Sequence, residues 1–297
     1  MIRFILSNMK KKILITALYK SAANGGSGSF MKCIYDTLIK IDKFDVEIAD
    51  SIDRKQLHGI KYDYIICSHR SILTELLKYK NKETKILCIS QGWVPNEEHF
   101  ITGADAYVSI SREVQDFNIK NFGIDSIYIP QPIQYIKYKE TNPKILNCLY
   151  IKNSASRDDT VFSEACIIAG VNFKISDRNI DIFKQIKESD FVIGLGRSAL
   201  EGMTYSKPAI IADTRFYHSK QISDGLLTAN SVKIASICNF SGRASNIEFT
   251  SETIASQIVF LRDNYKRLSR FSNNYIKQNN DSVKVVKQYL KLLGEHI

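Results

Sequence analysis

The sequence is short of several features that would narrow its class at once. Its six cysteines, Cys33, Cys67, Cys88, Cys148, Cys166 and Cys238, are never closer than 18 residues apart, so no C-x-x-C knuckle or redox pair exists. Cys67 (YIICS), Cys88 (ILCIS) and Cys148 (LNCLYI) sit inside apolar runs. A thiol in such a run behaves as a small core hydrophobe, and buried, reduced cysteines in a cytosolic protein are the expectation. No uncharged run approaches the ~18 residues of a membrane-spanning helix. The opening MIRFIL is too short for a signal peptide or anchor, and Met9 before Lys10-Lys11-Lys12 offers an alternative start of the fold. Internal repeats and low-complexity tracts are missing as well. A composition of 44% hydrophobic and 24% charged residues excludes disorder, collagen and coiled-coil arrays.

What is present is length and positive charge. A chain of 297 residues supports a core without disulfides, and at about 150 residues per domain it reads as roughly two domains. Lys+Arg number 41 against 31 Asp+Glu, a net charge of +10. The partner is then expected to be anionic: nucleotide phosphates, nucleic acid, or the anionic face of a membrane.

Short apolar runs alternate with helical stretches along the chain. Lys12–Leu18 reads as a buried strand, Tyr19–Ser29 as a Gly/Ser-rich loop and Phe30–Ile41 as a helix. Phe44–Ala49, Tyr62–Cys67, Lys85–Ser90, Tyr107–Ile110 and Ser126–Ile129 read as further strands. This alternation implies parallel βαβ units with right-handed crossovers. The prolines of Ile129–Gln134 (IPQPIQ) break it, because they stiffen an extended connector. It restarts with strands at Ile145–Ile151, Val171–Ile175, Phe191–Ile193 and Pro208–Ala212, and helices at Ser156–Ala169, Ile180–Glu188 and Ser198–Tyr205. The expected fold is α/β: two doubly wound, Rossmann-like domains, 1–134 and 135–297. One large doubly wound domain is the alternative.

The C-terminal end is distinct. Arg262–Ile297 holds eight Lys/Arg against three Asp/Glu, half of the net excess. Val283, Val286, Leu290 and Leu293 define an amphipathic helix with Lys284, Lys287 and Lys291 off the apolar stripe. Two readings stay open: a helix packed on the body with a solvated basic face, or one whose basic face meets anionic lipid.

Two glycine-rich turns follow strands. Asn24-Gly25-Gly26-Ser27-Gly28-Ser29 suits backbone recognition of phosphate at a helix N-terminus, although it matches neither G-x-G-x-x-G nor a P-loop. Hydride transfer and nucleotide hydrolysis are thus poorly supported. Gly194-Leu195-Gly196-Arg197-Ser198-Ala199-Leu200-Glu201 is sharper, because it places Arg197 and Glu201 on one face of a helix opening from a strand's C-terminal end. There a guanidinium suits a diphosphate, and a carboxylate one turn deeper suits the paired hydroxyls of a ribose. The bland alternative is a surface Arg–Glu pair worth at most ~0.5 kcal/mol.

With these motifs in order, the sequence resembles the GT-B glycosyltransferases, and among them the family 4-like group. The resemblance rests on the first Gly loop, on Ala104–Ile133 (ADAYVSISREVQDFNIKNFGIDSIYIPQPI), on Leu149–Arg157 (LYIKNSASR) and on Ser189–Ile211 (SDFVIGLGRSALEGMTYSKPAII). It implies a cleft between the two domains and transfer of a sugar from a nucleotide-diphosphate sugar to a hydroxyl acceptor. Lys152 and Arg157 match the family's pair of diphosphate-binding cations, with the Arg/Lys order exchanged. Glu201 matches the ribose-binding glutamate, and Gly194 and Gly196 match the turn before it. The donor set is completed by Gly25, Gly26, Arg197 and Ser198. Ile193 stands where the family carries its first glutamate, so the usual contact to the donor sugar's hydroxyls departs from the pattern.

The resemblance further implies retention of configuration and catalysis without a protein-bound metal or other cofactor. No two Asp are separated by one residue, so a D-x-D motif is absent. Leaving-group charge then falls to Lys152, Arg157 and Arg197 as fixed donors. A histidine contacts the donor sugar in related enzymes, and His69 and His99 are the candidates for it, each with a capping or surface role as the alternative. Trp93 is read either as a platform for an acceptor sugar or as a loop anchor. The implied acceptor is a glycan or lipid-linked glycan in bacterial surface polysaccharide or lipopolysaccharide synthesis. The implied location is cytoplasmic, peripheral at the inner face of the membrane. The rival readings are a phage-type transferase acting on DNA bases, a nucleotide-sugar 2-epimerase, and a non-catalytic partner subunit.

Overall fold

The computed structural model describes residues 10–17, 26–49, 62–141, 143–153, 155–156, 159–177, 179–216 and 219–296. It divides into two compact units, 1–134 with 282–297, and 135–281.

The first unit is built on a six-stranded sheet ordered β2-β1-β3-β4-β5-β6. Its strands are β1 (Lys11–Thr16), β2 (Phe44–Ala49), β3 (Tyr64–Ser68), β4 (Lys85–Ser90), β5 (Ala106–Ser109) and β6 (Ile127–Tyr128), all parallel. YIICS and KILCIS are buried almost throughout, the continuous apolar pattern of strands covered on both faces. Helices α1 (Gly26–Ile41), α2 (Arg70–Tyr79) and α3 (Arg112–Phe122) connect them. Helix α3 is delimited by local chemistry: Ser111 accepts from the Val114 amide at its start, and Gly123 ends it in the left-handed conformation (φ 65°). Helix α1 starts four residues earlier than the sequence reading placed it, so Gly26–Ser29 form its first turn instead of loop.

A larger correction concerns the C-terminal helix. Counting along the chain assigned it to the second unit, yet Ser282–Ile297 belongs to the first. Its amide entry is fixed by Ser282 N donating to Ile133 O at 2.9 Å. The buried face of helix Ser282–Leu292 is Ser282, Val285, Val286, Tyr289 and Leu290, at i, i+3, i+4 spacing, continued by Leu293 just beyond its end. Val285, Val286, Tyr289, Leu290 and Leu293 share one core with Ile34 and Leu38 of α1. Val283, expected in that stripe, is 41% exposed. Lys284, Lys287 and Lys291 lie on the exposed face. Beyond the helix, Lys85 Nζ donates to Leu293 O at 3.0 Å, while Glu295 accepts from both Lys11 and Tyr64.

The second unit carries a six-stranded sheet ordered β12-β11-β10-β9-β7-β8. Strands β7 (Asn147–Tyr150), β8 (Asn172–Ile175), β9 (Phe191–Gly194) and β10 (Ala209–Asp213) run parallel, alternating with helices α4 (Thr160–Ala169), α5 (Ile182–Glu188) and α6 (Arg197–Thr204). Strand β11 (Ile222–Leu226) pairs antiparallel with both β10 and β12 (Ile247–Glu248), so it runs against the other strands of a sheet expected to be parallel. The reason is chain length. Only 214–221 separate β10 from β11, and a parallel crossover needs about a dozen residues or more.

The strand order of each sheet reverses once, around β1 in the first and around β7 in the second. In open parallel sheets such switch points are where ligands bind, outside the strands' C-terminal ends.

Candidate functional site

In the second unit the switch point lies between β7 and β9, and the residues after both strands are those the sequence singled out. Strand β9 ends at Gly194, and Gly196 caps α6 with φ 50°, a conformation that disfavours any side chain. Its amide donates to Phe240 O at 2.8 Å, anchoring the turn on the loop after helix α7 (Val232–Ile237). That loop is itself held by Asp224, which accepts from Gly242 N at 2.9 Å and Ser245 N at 2.7 Å. Burial pushes the Asp224 carboxyl up against the pull of these donors. One turn into α6, Gly202 lets the helix lie close on β9: a Cβ there would stand 2.5 Å from Val192 Cγ2.

Arg197 and Glu201 form the expected i, i+4 pair, with Nε to Oε1 at 2.8 Å. It is not a surface pair, because both side chains are only 10% exposed. Burial pushes the Glu201 carboxyl up, and the Arg197 guanidinium opposes that shift. An ion pair withdrawn from water in this way adds little net stability, and at a switch point it is a candidate for ligand recognition. Ser198 opens the same helix turn, its amide donating to Leu195 O at 3.0 Å.

Lys152 lies just beyond β7. Its Nζ meets Asp159 Oδ2 at 2.7 Å, and its amide donates to Ser176 Oγ at 3.1 Å. Asp159, the residue before α4, is a partner seven positions away that the sequence reading missed. The structure thus brings Lys152, Gly194, Gly196, Arg197, Ser198 and Glu201 to the C-terminal edge of one sheet. Arg157 and Gly25 lie outside the described residues.

The remaining candidates sit in the first unit. Gly26 opens α1, and a Cβ there would meet nothing within 4 Å, so space does not demand glycine. Gly26 lies at the start of the helix that follows β1 in the first unit. His69 follows β3 at this unit's switch point, in a strained backbone conformation (φ 83°, ψ 134°). Its buried ring places Nε2 3.3 Å from Glu98 Oε1. Glu98 Oε2 accepts from Gln91 N at 2.8 Å, and Gln91 Nε2 donates to Ser27 Oγ at 3.0 Å and Ser68 Oγ at 3.1 Å. His69 is therefore part of a connected polar edge whose other members, Glu98 and Gln91, only the folded chain assembles. The adjacent Glu97 carboxyl accepts from Ser71, and that hydrogen bond lowers its pKa.

His99 does something else. Its Nε2 lies 2.7 Å from Trp93 O, and its ring packs on Phe117 and Phe122 at centroid distances of 5.0 and 5.1 Å. Trp93 in turn lies 5.5 Å from Phe117. This is an aromatic cluster in the loop after β4: Trp93 fits its loop-anchor alternative, whereas His99, read as a sugar contact or as a capping or surface residue, packs within the cluster. Ile193 is fully buried in the core of the second unit and presents nothing to a ligand. Among the described residues no group of three His, Cys, Asp or Glu side chains is placed to hold a metal, and no helix is long and apolar enough to cross a membrane.

No family model and no curated protein sequence matches this chain. Solved structures do. An α-glucosyltransferase crystallised with UDP and a 13-mer DNA containing a HMU base superposes with a TM-score of 0.64 at 13% identity, covering 96% of this chain and 100% of the other. AviGT4, a glycosyltransferase involved in avilamycin A biosynthesis, gives 0.60 at 10% identity over 96% and 97%. TarM of S. aureus, crystallised with UDP, Fondaparinux and α-GlcNAc-glycerol, gives 0.53 at 12% identity over 90% of this chain; the chain spans 59% of TarM's length. A UDP-GlcNAc 2-epimerase from Neisseria meningitidis is also similar. At these identities the likeness is one of fold, and the fold is the two-domain α/β GT-B architecture.

Proposed function

We propose that the protein is a glycosyltransferase that moves a sugar from a nucleotide-diphosphate sugar to a hydroxyl acceptor. The observation that carries the reading is the withdrawn Arg197–Glu201 pair on a helix that opens from a glycine turn at the switch point of the second sheet. Glu201 takes the ribose hydroxyls. Lys152 and Arg197 meet the diphosphate, with Arg157 as a further cation from the same segment. As the bond from sugar to phosphate breaks, negative charge grows on the departing diphosphate, and cations already fixed in place stabilise it without reorganising. Gly194, Gly196 and Ser198 supply close backbone approach at the N-terminus of α6. In the first unit, His69 is the candidate contact to the donor sugar.

The finer reading is a family 4-like, retaining, metal-independent enzyme that glycosylates a bacterial surface glycan or lipid-linked glycan at the inner face of the membrane. The basic face of Lys284, Lys287 and Lys291 supports that location through attraction to anionic lipid. A second reading, glycosylation of DNA bases, is favoured by the net charge of +10 and by a DNA-bound glucosyltransferase whose whole length this chain matches. Binding to DNA that weakens steeply with salt would select it.

The test is a thermal shift of wild type and Glu201→Ala against UDP, GDP, CDP, ADP and CMP. A ligand at ~100 times its dissociation constant adds about 2.7 kcal/mol. One diphosphate is expected to raise the wild-type melt and to lose that effect in Glu201→Ala. No shift from any nucleotide sinks the transferase reading and favours a non-catalytic partner subunit.

A further inference from the structure

Strand β10, beside β9, ends in a third pairing of acid and cation. Asp213 is fully buried, and its two carboxylate oxygens accept from Arg215 Nε at 2.8 and 2.9 Å, with Arg215 Nη2 on Oδ2 at 2.5 Å. The Arg215 side chain is 15% exposed, so the carboxylate is wholly withdrawn from water and the arginine keeps a small exposed share. The backbone here is tied to the segment after β7. Phe216 N donates to Ala155 O at 3.0 Å, and Ser156 and Arg215 form an antiparallel bridge. Beneath the tie, Tyr150 Oη lies 3.0 Å from Ser156 Oγ and 3.3 Å from the buried Thr214 Oγ1.

In the sheet, β9 runs between β10 and β7. A connection from the end of β10 to the end of β7 therefore spans the C-terminal end of β9, where the Gly194–Gly196 turn begins. Three neighbouring parallel strands thus each end in a cation held by its own carboxylate: Lys152–Asp159, Arg197–Glu201 and Arg215–Asp213. Orienting a guanidinium with a fully buried carboxylate costs desolvation that packing alone would not require. A guanidinium held in one orientation through its Nε/Nη2 edge is a preorganised cation for phosphate oxygens.

We propose that Arg215 is a further ligand-contacting residue of the second unit, binding the diphosphate of the donor, with Asp213 as the positioning residue that aims it. This rests on the nucleotide-sugar reading above and adds to it a residue that the sequence motifs did not reach.

The experiment is calorimetric binding of UDP, GDP, CDP and ADP, with the matching monophosphates and nucleosides, to wild type, Arg215→Ala, Arg215→Lys and the double variant Asp213→Asn/Arg215→Ala. The double variant leaves no lone buried charge and keeps the test readable if the single alanine unfolds. Arg215→Ala and the double variant are expected to weaken the preferred diphosphate about tenfold or more, a charge-assisted hydrogen bond's worth, and to leave the nucleoside unchanged. Arg215→Lys falls between, since it keeps the charge and loses the fork. Equal weakening of diphosphate and nucleoside, or no weakening of either, overturns the proposal while the donor-site reading stands. A wild type that binds none of the diphosphates overturns both.

Discussion

The two units share an architecture and differ at the edge where each could meet a ligand. Both are six-stranded sheets with one reversal of strand order, and both place their polar residues after the C-terminal ends of strands. The first unit's edge joins Ser27, Ser68, Gln91 and Glu98 by hydrogen bonds of 2.8 to 3.1 Å, with the buried, strained His69 3.3 Å from the Glu98 carboxylate. The second unit's edge stores its cost as buried charge in Arg197–Glu201 and Arg215–Asp213. Strain holds one side chain in one place. Buried charge prepares a surface for a charged ligand, because the desolvation has been met before the ligand arrives. The contrast teaches that fold repetition sets where a site can be, and the kind of energy stored there indicates what it binds.

The largest expected effect breaks the charged edge. Glu201→Ala leaves Arg197 withdrawn from water without its carboxylate, and chemical denaturation should show a loss of about 3 kcal/mol. Asp159→Ala removes the partner of Lys152, which is 37% exposed, and should cost under about 1 kcal/mol. Replacing the pair together, Arg197→Met with Glu201→Leu, should recover most of the stability while nucleotide binding stays lost. If the double variant is no more stable than Glu201→Ala, the pair is structural and the contrast between the edges fails.

Next in size is Gly202→Ala. Its Cβ would press on Val192, and about 2 kcal/mol of stability should be lost as helix α6 moves off the sheet. The strained edge is sharpened by His69→Gly against His69→Ala. Glycine accepts a φ of 83°, so His69→Gly should be the more stable of the two by about 1 kcal/mol.

An effect of similar size lies at the other end of the first sheet. Burial would raise the Glu295 carboxyl, but hydrogen bonds from Lys11 and Tyr64 outweigh it and hold the group below its ordinary value of 4.5. A depressed carboxylate pKa gives stability that is present above the unfolded value and lost as pH falls through the folded one. Glu295→Gln should therefore be less stable than wild type by about 1 kcal/mol at pH 7, with the gap closing as the two are titrated below pH 4.5.

Much of this was legible in local sequence. The bounds of β2 and β4 coincide with the segments Phe44–Ala49 and Lys85–Ser90: β4 is a run buried from its second residue on, and β2, the edge strand, alternates apolar residues with the exposed Asp45 and Glu47. The turn of Gly194 to Glu201 was legible because its residues are consecutive and their spacing is helical. What escaped was set by contacts between distant segments. The C-terminal helix joins the first unit through Ile133, Ile34 and Leu38, none of them near it in sequence. Glu98 meets His69 across 29 positions, and Arg215 reaches the segment after β7 through a backbone tie that no periodicity announces. His99 looked equivalent to His69 until its ring was found among Phe117 and Phe122.

The most direct test of the central claim is amide hydrogen exchange on the full chain, with and without saturating nucleoside diphosphate. The greatest protection is expected in 194–204 and 150–160, with 64–100 changing little. Protection concentrated in 64–100 and absent from 194–204 would contradict the claim.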